Sequence, residues 1–164
     1  MSLIRICFPL LFLSILLILA GCQKTASTQP VHWSATKEEA LSHYKEQLPR
    51  VKETYLELML TTGDSVVLVQ RKPLTYAIGE FYRNQGQYAF ERTSAWLAIE
   101  NTTGAMWAFT TKAGNDYKLK IAKSREDTSS FYNEAVGVYL TVSEGDREYN
   151  EKNVTNLIAA AILL

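Results

Sequence analysis

Turn signals recur through the middle of this chain at intervals that leave room only for strands. Thr62-Gly63-Asp64, Arg83-Asn84-Gln85-Gly86, Asn101-Thr102-Thr103-Gly104 and Lys112-Ala113-Gly114-Asn115 all carry Gly, with Asn or Asp beside it. Such residues supply positive φ or bond their side chains to nearby backbone. The segments between them are rich in β-branched and aromatic residues. Ser65-Val66-Val67-Leu68-Val69-Gln70 is the clearest strand. Residues 117–123 alternate, with Tyr117, Leu119 and Ile121 on one face and Lys118 and Lys120 on the other. Residues 53–61 carry both helical and alternating spacing. Pro49 breaks any helix entering them, and Thr62-Gly63-Asp64 joins them to the next strand. The expected strands are therefore 53–61 paired as a hairpin with 65–71, then 75–82, 87–93, a continuation at 94–100, 105–111, 117–123 and 135–142. Residues 124–134 read as a loop.

Helical signals lie on either side of this β region. Thr36-Lys37-Glu38-Glu39 fits a capping box. Leu41, Tyr44 and Leu48 follow at spacings of three and four, as on one helix face, which predicts a helix over 37–47. At the other end, 153–164 is apolar, with Ala159-Ala160-Ala161 at its centre and Asn153 as a candidate cap. These patterns predict an α+β fold over 36–164: one N-terminal amphipathic helix packed on an antiparallel β-meander of about six to seven strands, with a short C-terminal helix.

The first 35 residues are of another kind. Arg5 precedes an apolar run from Ile6 to Ala20, which contains Pro9 and is shorter than the roughly 20 residues a membrane span requires. The run closes at Leu19-Ala20-Gly21-Cys22. A basic start, an apolar core and small residues before a break are the parts of a secretory signal. With Cys placed directly after them, they resemble the lipobox of bacterial lipoproteins. That resemblance implies removal of residues 1–21, a diacylglycerol on Cys22, and residence on the extracytoplasmic face of the cell membrane. Residues 22–35, rich in Ser, Thr, Gln and Pro as far as Pro30, then form a tether that holds the domain off the bilayer. Trp33 is its first anchor to the domain. The lipobox, the helix opening at Thr36-Lys37-Glu38-Glu39-Ala40-Leu41 and the β-rich remainder are similar to small lipoproteins of spore-forming Gram-positive bacteria. That likeness carries no catalytic residues with it.

Composition narrows the function classes. Residues 22–164 hold 16 basic and 17 acidic side chains, a net charge of −1. Nucleic-acid binding calls for a basic excess, so nucleic acid is not an expected partner. Cys7 leaves with the signal and Cys22 takes the lipid, so no disulfide is expected. Two His residues, with no Cys in the domain, make a poor zinc ligand set, and neither metal nor cofactor is expected.

Motifs for chemistry are sparse. The sequence has no G-x-S-x-G nucleophile elbow and no Gly-rich phosphate loop. His43, one turn after Glu39, reads as a solvent-facing pair. Trp96 and Trp107 flank a predicted turn. Buried, they are core; exposed, they offer faces for stacking on sugars. Lys118 and Lys120 share a strand face, which either keeps that strand soluble or meets an anionic cell-wall polymer or lipid headgroups. The expectation is a non-catalytic binding or accessory module of the cell envelope, anchored through Cys22, which contacts the lipid surface, a wall polymer or another envelope protein. The alternative is an anchored hydrolase of the envelope whose site has no recognisable motif.

Overall fold

The computed structural model describes residues 31–48, 52–145 and 154–164. The leader, the lipobox with Cys22, the tether through Pro30 and Pro49 all lie outside the described residues. Residues 32–164 form one compact unit.

Strands dominate this unit. Among the described residues, one helix, α1 (Lys37–Glu46), precedes ten strands: β1 (Thr54–Leu60), β2 (Ser65–Lys72), β3 (Thr75–Asn84), β4 (Gln87–Arg92), β5 (Leu97–Ala98), β6 (Gly104–Thr110), β7 (Asp116–Ala122), β8 (Phe131–Asn133), β9 (Val138–Glu144) and β10 (Ile158–Leu163). The strands make two antiparallel sheets. The larger runs β10-β1-β2-β3-β4, with β5 on β3; the smaller runs β6-β7-β9-β8.

The α+β expectation is therefore wrong. The protein is mostly β, with two sheets in place of one meander, and its one described helix is a short element inside the chain rather than an N-terminal layer. The C-terminal apolar run is a strand, not a helix. Alanine favours helix locally, but Ile158–Leu163 lies antiparallel to β1, with Leu58 opposite Ala161 and Leu56 opposite Leu163. Tertiary pairing overrides propensity here. Residues 124–134 also contain β8, and 135–137 is a turn before β9.

The second sheet exists because the larger sheet has two apolar faces. Val66, Val67, Leu68 and Val69 are all buried, whereas a strand with one wet face would alternate. On one side, Leu56, Leu58, Leu68, Tyr76 and Ile78 pack against Leu119, Ile121, Leu140 and Val142 of the smaller sheet. On the other, Tyr55, Val67, Val69 and Phe90 pack under Ala40 and Leu41 of α1. Gly79 is required in this second layer, because a Cβ there would fall 2.5 Å from the Phe90 ring.

Polar pins hold the sheets in register. At one end Tyr117 Oη donates to Asp64 Oδ2 at 2.7 Å, and Asn115 Nδ2 donates to the same oxygen at 2.8 Å. At the other, Gln70 Nε2 and Tyr76 Oη both donate to Val136 O at 3.1 Å. Asn156 ties β10 to the smaller sheet. Its Oδ1 accepts from Val142 N at 3.0 Å and Ile158 N at 3.2 Å, and its Nδ2 donates to Ser129 O and Leu140 O at 3.0 Å each. Replacing Asn156 by Ala strands four backbone groups at a part-buried site. The expected loss is about 2–4 kcal/mol in denaturant unfolding; a loss below about 0.5 kcal/mol would mean that water replaces the side chain and the pin is dispensable.

Candidate functional site

The N-cap of α1 forms largely as its sequence dictates. Thr36 Oγ1 accepts from Glu39 N at 3.2 Å, but the Glu39 carboxylate reaches Ala35 N at 3.0 Å, one residue beyond the usual capping-box partner. Ser34 exchanges two 2.8 Å backbone bonds with Tyr88 and so covers part of β4. His43 stacks on His32 with centroids 3.7 Å apart, and Glu39 is engaged at the cap. Among the described residues, no group of three or more His, Cys, Asp or Glu could hold a metal ion.

The residues singled out in the sequence lie on different parts of the fold. Trp96 is half-buried beside the helix-side core, with the guanidiniums of Arg71 and Arg92 over its ring at 5.3 and 5.2 Å. Those cations take up the aromatic surface a sugar would need. Trp107 is half-buried between the sheets, opposite Leu119, and its Nε1 is buried without a hydrogen-bond partner. Lys118 and Lys120 do share the outer face of β7. Lys120, however, bridges Glu126 and Asp127 at 3.0 Å each, with its side chain only 15% exposed. Burial works against its charge, but the two carboxylates outweigh burial and hold its pKa above the ordinary lysine value. Lys118 is half-buried. Cys22 lies outside the described residues.

Two buried polar clusters carry no sequence signal. In the first, Glu53 accepts a hydrogen bond from Tyr55 Oη, and its other oxygen lies 3.9 Å from Arg71 Nε. Burial pushes the Tyr44 hydroxyl above its ordinary pKa; Arg92 opposes the shift and Glu53 adds to it. Burial, then Glu53, raises Tyr55 as well. Both hydroxyls stay protonated at neutral pH; Tyr55 donates to Glu53, while Tyr44 accepts from Arg92. In the second cluster, Glu80 is buried on β3 and accepts from Lys112 N at 3.2 Å. Its direct cross-strand neighbour is Glu91, a like charge. Burial raises the Glu80 pKa above 4.5, with Lys112 acting against the shift. Both clusters sit inside packed layers and tie elements together.

The open surface lies along β10. A groove of about 570 Å³ runs between Ile158–Ala161 and the segment 128–131, floored by Phe131 and Asn156. Beside it, Met59, Ile162 and Leu163 are 44%, 46% and 60% exposed. Exposed apolar side chains thus border this edge on both faces of the sheet. The charge-free run of 154–164 hinted at this surface, but reading that run as a buried helix concealed an open strand.

The chain matches no known protein family, no curated protein and no solved structure.

Glu80 supplies a pH test. A folded-state pKa above the unfolded one makes the folded state bind the proton more tightly. The resulting stability is fully present below pH 4.5 and is lost as pH rises through the folded pKa. Glu80→Gln keeps the acceptor for Lys112 N and stays neutral. Melting curves should coincide with wild type below pH 4.5, and the variant should melt a few degrees higher at pH 7. Equal melting temperatures at pH 7 would show that Glu80 is adequately solvated or paired.

Proposed function

We propose that this chain is a lipid-anchored protein of the extracytoplasmic membrane face, acting as a non-catalytic binding or accessory module of the envelope. The observation that carries this reading is Leu19-Ala20-Gly21-Cys22 after the apolar run 6–20. A thioether-linked diacylglycerol on Cys22 needs that residue type directly after the small pair, and the polar tether after it gives the domain reach. Two features of the domain are in keeping with a binding role. Lys120 is tied to Glu126 and Asp127, and Lys37 to Glu57 at 2.6 Å, so these lysines serve the fold. Met59, Ile162, Leu163 and Leu164 are exposed at or beside β10. No helix among the described residues is long and apolar enough to cross a membrane.

Replacing Cys22 by Ala tests the anchor. Wild type should sediment with membranes through salt and carbonate washes and incorporate labelled fatty acid; the variant should lose the label and leave the membrane fraction under carbonate. A variant that stays membrane-bound, or a wild type without label, would refute lipidation at Cys22.

A further inference from the structure

Among the described residues β10 is an edge of the larger sheet, and it lacks the charge and proline an edge strand usually carries. No Lys, Arg, Asp, Glu or Pro occurs from Val154 to Leu164, although charge and proline are the common devices that stop edges from pairing. The opposite edge, β4, is partly covered by Ser34. Leu164 N donates to Tyr55 O at 2.9 Å, so by the alternation of an antiparallel ladder the N–H and C=O of Ala161 and Leu163 point away from β1. These groups offer a template for a further strand, and the adjoining 570 Å³ groove gives that strand and its side chains room.

The strand itself indicates the occupant. Ile158-Ala159-Ala160-Ala161-Ile162 reads the same in both directions. A two-fold interface must be self-complementary, since residue i of one copy meets residue j of the other and the reverse also holds. Antiparallel pairing about the middle of this run places small residues at the axis and Ile toward each end. With no charge on the segment, two copies meet without repulsion, and a charged partner would find nothing to pair with. We propose that β10 pairs with β10 of a second copy of this chain, antiparallel, about a two-fold axis near Ala160, to join two larger sheets into one. The edge of one six-residue strand is a smaller contact than the roughly 800 Å² per partner of a standard stable interface, so the dimer is reversible and depends on concentration. This pairing goes beyond the anchoring role and holds whether or not Cys22 is acylated.

The test uses the full chain in mild detergent with Cys7 and Cys22 replaced by Ser, which removes native thiols and makes the outcome independent of lipidation. Sedimentation over a concentration series should show a monomer–dimer equilibrium. Ala160→Lys sets two ammonium groups against each other across the axis and should weaken association at least tenfold with an unchanged melting temperature. In the same background, Ala160→Cys should give a disulfide-linked dimer under mild oxidation, whereas Gln87→Cys on the far edge should not. A wild type that stays monomeric throughout, a dimer that Ala160→Lys leaves intact, or equal cross-linking at residues 87 and 160 would overturn the proposal.

Discussion

The fold depends on burying β2 on both of its faces. Val66 and Leu68 point into the space between the sheets, while Val67 and Val69 point under α1. Four consecutive apolar residues removed from water contribute roughly 1.5–3 kcal/mol each, a large part of the net stability of a domain this size. No single layer can bury both faces. The smaller sheet is needed for one and the helix for the other, so the helix–sheet–sheet layering follows from this strand. The hydrogen-bonded pins at Asp64, Val136 and Asn156 fix how the layers sit, but the apolar strand makes them necessary.

Local features were legible in the sequence wherever the signal was local. The hairpin of β1 and β2, the Gln85-Gly86 turn with φ of 48° and 82°, and the alternation of β7 all follow from residue types at fixed spacing. Features decided by distant partners were not. The burial of Leu56, Leu58 and Leu68 against Leu119, Ile121 and Leu140 links residues far apart in sequence, and it turns a one-sided meander into a layered structure. Asn156 looks like an ordinary loop residue until its four backbone partners are in place. The Ala-rich run at the C-terminal end satisfies helix propensity, and only its pairing with β1 makes it a strand.

The same division governs function. The proposal for Cys22 rests on a contiguous motif and so is made from sequence alone. Trp96, Trp107, Lys118 and Lys120 were candidates by residue type, and the structure sets Trp96 under two guanidiniums, Trp107 between the sheets and Lys120 against two carboxylates. Aromatic and basic residues serve architecture as readily as ligands, and only their neighbours tell the two apart. The buried clusters around Glu53 and Glu80 draw their members from the helix, from several strands and from the turn at Lys112, so no single spacing announces them. What remains open is a strand edge, whose availability depends on the order of strands in a sheet rather than on any residue taken alone.

Native-state hydrogen exchange resolved by residue tests the layered account most directly. If β2 is the doubly buried centre, the amides of Val66, Val67, Leu68 and Val69 exchange only through global unfolding, with protection equal to the full unfolding free energy and above that of β6 and β8. Exchange of those four amides by local opening, with protection no greater than that of the short edge strand β8, would contradict the claim that the rest of the structure is built around β2.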